Sequence, residues 1–196
     1  MIKYIASVML TGLLLCMPEV ILEIEPKEPI SNRILFVVDR SGSMAGDQFA
    51  RSLAAIRTTM EASTDDFQIG MIAFNDATLR WAGIPEDGQN KVPPGWAALP
   101  SEETIRQANE WLAELGAGGN TLIIPALREA LRERRKNLSI VIVSDGIFGA
   151  ERIDAIVAMI NEEQAARERA DLGRAKIFVY GLGPLQQVLT DIVNTG

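Results

Sequence analysis

The sequence ends two short apolar runs in oxygen-bearing side chains, and the chemistry these can do is to hold a hard cation. The first run, Ile34-Leu35-Phe36-Val37-Val38, stops abruptly at Asp39 and continues Arg40-Ser41-Gly42-Ser43. One carboxylate and two hydroxyls therefore share a tight turn in which Gly42 helps the backbone fold inward, and all three oxygens can face one point. The second run, residues 138–143, ends in Ser144-Asp145-Gly146, and the glycine-rich stretch Gly118-Gly119-Asn120-Thr121 brings a further hydroxyl. Asp39, Ser41, Ser43, Thr121 and Asp145 thus offer hard oxygen donors with no nitrogen or sulfur, a set that suits Mg²⁺, Mn²⁺ or Ca²⁺ over zinc or copper. Taken singly, Asp39, Ser43 and Thr121 could cap helices and Asp145 could begin a turn. Oxygen donors gathered in three separate loops, two of them opening with aspartate at strand ends, favour the metal site over unrelated caps and turns. Asp47, Asp76 and Asp87 have no such support and read as plain loop or cap residues.

The elements that must position these groups follow from the apolar periodicity. Residues 34–38 and 138–143 are continuous apolar runs of the kind that form central strands buried on both faces. Phe49, Leu53, Ile56 and Met60 recur at helical spacing and mark a helix after the first loop. Residues 67–74 read as a second strand, Asn75-Asp76 as a turn, and residues 78–81 as a short edge strand. The Pro/Gly-rich residues 83–100 read as a surface loop. Ser101 followed by Glu102 and Glu103 starts a helix whose buried face carries Ile105, Ala108, Leu112 and Leu115. A further helix is expected from about Pro125 through Leu127 and Leu131. A helix around Ile153, Ile156, Val157 and Ile160, a strand over 176–180 and a last helix with Val188, Leu189 and Ile192 complete the alternation. Trp111 is expected in the core, whereas Trp96, inside the Pro/Gly-rich stretch, reads either as a partner contact or as a packed loop anchor.

Strands alternating with amphipathic helices predict an α/β fold, doubly wound, with a mostly parallel central sheet, one short antiparallel edge strand and helices on both faces. In such sheets the ligand site lies outside the carboxyl ends of the strands, where Asp39 and Asp145 stand.

Composition removes several function classes. The 196 residues include no His, so a Ser/His/Asp triad and a His-ligated zinc site are excluded by inventory. Cys16 is the only cysteine, which excludes an internal disulfide and a cysteine cluster. A formal net charge of −7 and the lack of a long basic run leave nucleic acid without a footprint. The short basic stretch Arg132, Arg134, Arg135, Lys136 reads as the positively charged end of a helix.

We read residues 1–18 as a signal peptide or membrane anchor, 19–31 as a polar, proline-marked linker and 32–196 as one domain. Lys3 followed by an uncharged stretch to Pro18 has the form of a secretory n-region and h-region. No small-x-small cleavage site follows, and Leu15 precedes Cys16 where a lipoprotein signal has a small residue, so anchoring through residues 2–17 also stays open. Glu19 cuts the run below the roughly 20 apolar residues of a spanning helix. Either way the chain is expected to be exported or membrane-anchored.

At the motif level the sequence resembles the von Willebrand factor type A family, whose metal-ion-dependent adhesion site (MIDAS) reads D-x-S-x-S, then a threonine, then an aspartate. The resemblance runs from about Arg33 to Gly196 and extends to Phe74-Asn75, Asp145-Gly146 and Tyr180-Gly181-Leu182-Gly183. It implies that Ser41 and Ser43 bind the ion directly, that Thr121 does so in the ligand-competent state, and that Asp39 and Asp145 bind directly or through water. It also implies a non-catalytic module whose ion captures an Asp or Glu of a protein partner. Family members often carry a final edge strand after the last helix, which here would begin where the sequence stops. The alternative is a Mg²⁺-dependent phosphohydrolase with Asp39 as nucleophile. Phosphatases of that type resemble D-x-D, and Ser41 stands where the second carboxylate would act as acid and base. A nucleotide-binding reading lacks both a G-x-G-x-x-G and a Gly-Lys-Ser/Thr after the first strand.

Overall fold

The computed structural model describes residues 30–63, 67–84, 95–148 and 151–181. Within them the strands are β1 (Arg33–Asp39), β2 (Phe67–Phe74), β3 (Thr78–Arg80), β4 (Ala97–Leu99), β5 (Leu138–Ser144) and β6 (Lys176–Gly181). The helices are α1 (Asp47–Glu61), α2 (Glu102–Glu114), α3 (Ile123–Leu131) and α4 (Ile153–Arg169), and a short 3-10 helix spans Gly42–Met44. The sheet order is β3-β2-β1-β5-β6, with β1, β2, β5 and β6 parallel and β3 and β4 both antiparallel to β2.

Alternate residues of the central strands serve opposite layers, as the pleat requires. Phe36 and Val38 of β1, with Met71 of β2 and Val141 and Val143 of β5, pack under α1 and α2, where Phe49, Ile56, Met60, Ala108 and Leu112 face them. Leu35 and Val37, with Ile72, Phe74, Ile140 and Ile142, pack under α3 and α4 against Leu127, Leu131, Ile156 and Ile160. A strand sandwiched this way has no solvent face, which is why β1 and β5 carry continuous apolar runs. Ser101 caps α2 as expected, its hydroxyl accepting from Thr104 N at 3.3 Å.

Three expectations change. Residues 83–100 are not wholly a loop: Ala97–Leu99 forms β4, pairing Phe67↔Leu99 and Ile69↔Ala97, so the sheet has two short antiparallel strands rather than one. Trp96 is 0% exposed, and it fits because Gly70 of β2 leaves the space; a Cβ there would stand 2.9 Å from Leu35 Cδ1 and 3.3 Å from Trp96 Cδ2. Trp96 is thus the packed anchor, with its Nε1 donating to Glu133 Oε2 at 3.1 Å. The Arg135 guanidinium lies 4.5 Å over its ring, so this cation does not close a helix but covers the indole face beyond the end of α3. Third, Ile153 is 41% exposed, because at the first helical position it stands clear of the face that α4 presents to α3.

Ile30 is buried in the α1/α2 layer, and Ser31 N donates to Ser139 Oγ at 2.9 Å, so the end of the expected linker lies against the start of β5. The expected leader or anchor and the last helix fall outside the described residues. Among the described residues no helix is long and apolar enough to cross a membrane.

Because a fully enclosed indole leaves a void when truncated, Trp96→Ala should lower unfolding stability by about 3–5 kcal/mol. Urea denaturation checks this, and a loss below about 1 kcal/mol, the size usual for a surface change, would mean that Trp96 does not anchor the β2–β4 corner.

Candidate metal centre

Asp39, Phe74 and Ser144 end β1, β2 and β5 side by side, since Asp39 pairs with Phe74 and Val38 with Val143. This level edge puts three loops at one place. The Asp39 carboxylate turns back onto its own loop, with Oδ1 accepting from Ser41 N at 2.8 Å, while Oδ2 accepts from Ser144 Oγ at 2.6 Å. The first bond closes the turn that brings Ser41 round, and the second ties the β1 loop to the β5 loop. Met44, fully buried, pins the 3-10 turn from below. The hydroxyls of Ser41 and Ser43 come to 3.1 Å of each other. In the β5 loop, Asp145 Oδ1 accepts from Ile147 N at 3.0 Å.

Thr121 arrives from the α2–α3 connection, which is hydrogen-bonded to the β1 loop through Gly42 N to Gly119 O at 2.9 Å and Gly118 N to Arg40 O at 2.8 Å. Gly119 has φ +80°, and a Cβ there would collide with Asp76 Oδ2, so both its conformation and its surroundings demand glycine. Gly42 faces the same loop, where a Cβ would meet Gly119 O at 3.2 Å.

Asp39 is 0% exposed and Asp145 3%, yet among the described residues no ion pair neutralises either. Arg40, the nearest cation in sequence, spends its guanidinium elsewhere, on Asn75 Oδ1 at 2.8 Å and Gly116 O at 3.3 Å. Burial pushes the Asp39 carboxyl above its ordinary value; hydrogen bonds from Ser144 and Ser41 pull it back, and the charge of Asp145 pushes it up again. The Thr121 hydroxyl, in a residue 5% exposed, is hydrogen-bonded to no other described residue.

These residues fit a hard divalent cation. Neighbouring ligands at about 2.0–2.1 Å on an octahedral ion stand about 2.9 Å apart, so the 3.1 Å pair of Ser41 and Ser43 already has nearly the required spacing. Two buried carboxylates supply the compensating charge, and Thr121 has an unspent oxygen. Among the described residues no group of three or more His, Cys, Asp or Glu side chains gathers, so a cation here would rest on this mixed carboxylate and hydroxyl set.

Three supporting residues were not singled out by sequence. Ser144 anchors Asp39, and its signal was a hydroxyl ending an apolar strand. Asp76, expected to be a plain loop residue, accepts from Asn120 N at 3.1 Å and Asn120 Nδ2 at 2.7 Å. Glu151 accepts from the backbone of Ile123 and Ile124. Neither carboxylate has a motif spacing that sequence could have flagged.

No family model matches the chain. Among solved structures it is similar to a von Willebrand factor type A protein from Catenulispora acidiphila, with a TM-score of 0.61 and 17% identity over 85% of this chain and 37% of that one. It is also similar to an aerotolerance-related membrane protein from Bacteroides fragilis, solved with multiple mutations to serines, with a TM-score of 0.52 and 15% identity over 76% and 66% of the two chains. In sequence it is 27% identical over 107 residues to inter-alpha-trypsin inhibitor heavy chain H2 of Mus musculus, a stretch covering 55% of this chain and 10% of that protein. The chain therefore spans about a tenth of the curated relative it matches. Sheet order and helix layers define an open, doubly wound α/β domain with loops gathered at the strand ends. Within that class, the chain has the von Willebrand factor type A fold.

A carboxyl whose folded pKa lies above its unfolded value binds more protons in the folded state across the window between the two, so stability falls as pH rises through that window. For Asp39 the window opens at the ordinary value of 3.8 and extends upward, so without metal the site costs stability at neutral pH relative to acid pH. In EDTA at neutral pH, Asp39→Asn should therefore unfold at higher urea than the parent, with the gap narrowing as the pH is lowered toward 3.8. A variant less stable than the parent at neutral pH would contradict this.

Proposed function

We propose that this domain is a non-catalytic, metal-dependent protein-binding module. A single divalent cation, Mg²⁺ with Mn²⁺ or Ca²⁺ as substitutes, would be held by Asp39, Ser41, Ser43, Thr121 and Asp145. The observation that carries the reading is the pair of buried aspartates that no described cation neutralises, set beside serine hydroxyls already at ligand spacing. When bound, the ion supplies an electrophilic position open to an anionic oxygen, and an Asp or Glu of a protein partner is the natural occupant. The chain's own residues divide the work. Asp39 and Asp145 balance the charge, while the neutral hydroxyls of Ser41, Ser43 and Thr121 orient without quenching it. Ser144 and the Ser41 amide hold the Asp39 carboxylate in one orientation, as outer partners of metal ligands do.

The von Willebrand factor type A fold supports an interaction or adhesion role. The membrane protein among its structural neighbours supports an extracytoplasmic setting, in keeping with the apolar residues 2–17. The phosphohydrolase alternative gains nothing: both oxygens of Asp39 are engaged, the residue is fully buried, and Ser41 offers no carboxylate for proton transfer.

Calorimetric titration of Mg²⁺ and Mn²⁺ into the metal-free chain should show binding at one site, and the Asp39→Ala/Ser41→Ala variant, folded by circular dichroism, should show none. Protein capture by the parent should then be lost in EDTA and in the variant. Equal binding by parent and variant would place the ion elsewhere and remove the basis of the reading.

A further inference from the structure

Resting on that reading, we infer that Asp76 and Glu151 are positioning residues that hold Thr121 at the metal centre, one from each side in sequence. The α2–α3 connection is rich in glycine, with Gly116, Gly118 and Gly119, and such a stretch has no conformational preference of its own. Nevertheless every residue from Gly118 to Ile124 except Thr121 is hydrogen-bonded to a group from another loop. Gly118 is held by Arg40 O at 2.8 Å and by Asn75 Nδ2 at 2.7 Å, Gly119 by Gly42 N at 2.9 Å, and Leu122 by Asn75 O at 3.1 Å. Asp76 accepts twice from Asn120, the residue before Thr121. Beyond it, Glu151 accepts from Ile123 N and, at 3.1 and 3.2 Å, from Ile124 N.

The second contact substitutes for a missing cap. Leu122 precedes α3 and has no side-chain oxygen, so the first free amides of that helix would otherwise be orphaned. Their acceptor comes instead from the β5 loop that carries Asp145, and the carboxylate also suits the positive end of the helix. Asp76 reaches the same connection from the β2–β3 turn. Thr121 is left as the single unspent residue of a clamped stretch, its hydroxyl free for a ligand and its backbone fixed. Side chains that support metal ligands in this way commonly carry a 10- to 100-fold share of affinity.

The test uses the full chain, with Mn²⁺ as the probe and two readouts. Without metal, hydrogen exchange should accelerate at Asn120 in Asp76→Ala, and at Ile123 and Ile124 in Glu151→Ala. By calorimetry each variant should weaken Mn²⁺ binding about 10- to 100-fold. In a Thr121→Ala background the same substitutions should change affinity less than about twofold, since coupled residues are not additive. Asp76→Asn, which keeps one acceptor oxygen, should recover part of the loss. Full additivity in the Thr121→Ala background would mean that these residues act through general stability and would overturn the inference. Unchanged Mn²⁺ affinity in both variants, beside its loss in Asp39→Ala, would overturn the inference and leave the metal reading standing. No Mn²⁺ binding by the parent would overturn both.

Discussion

A carboxylate at the end of a central strand, buried and ion-paired with no described residue, is the constraint around which this domain is arranged. Ionised Asp39 has lost its water, and what the fold gives back is two hydrogen bonds, from Ser41 N and Ser144 Oγ. A neighbouring buried Asp145 adds repulsion. Burying a charge without a partner is costly, and buried charges are accordingly found paired or on metals. Among the described residues the pair is thus a local violation of the rules that the core obeys, and such violations concentrate at functional sites. The apolar sheet beneath makes the violation tolerable by holding the loops level, so that their oxygens meet at one edge.

Much of this was legible in the sequence because it rests on periodicity and on local turns. β1 and β5 are enclosed on both faces, and nothing but continuous apolar residues satisfies that environment, so their limits were visible where Asp39 and Ser144-Asp145 interrupt them. The D-x-S-x-S turn is likewise local: its hydrogen bond from Ser41 N to Asp39 Oδ1 links residues two apart. Helix faces such as Phe49, Leu53, Ile56 and Met60 were equally plain, since all four are buried.

What was not legible depends on distant partners. β4 is three residues long in a stretch rich in proline and glycine, and its pairing with β2 follows from the burial of Trp96 beside Gly70, a relation between residues far apart in the chain. Arg135 looked like the end of a helix because charge patterning reports only on neighbours in sequence, whereas its place is set by an indole face brought from another segment. Asp76 read as a plain loop or cap residue for the same reason, and nothing near Glu151 in sequence marked it at all. Asp76 binds the α2–α3 connection and Glu151 the first turn of α3, each across an interval that no motif spans.

Ligand and support therefore have different sequence signatures. The oxygen donors are recognised by type and spacing, while the groups that fix them are known only once loops from β1, β2, β5 and the α2–α3 connection are seen together. The claim that joins these parts is that the buried carboxylates and the hydroxyls share one cation. Crystals of the chain grown with Mn²⁺ and measured at the manganese absorption edge test it directly. The account predicts one anomalous peak at about 2.1 Å from the hydroxyl oxygens of Ser41 and Ser43, lost in Asp39→Ala crystals. A peak elsewhere, or none at saturating Mn²⁺, would contradict it.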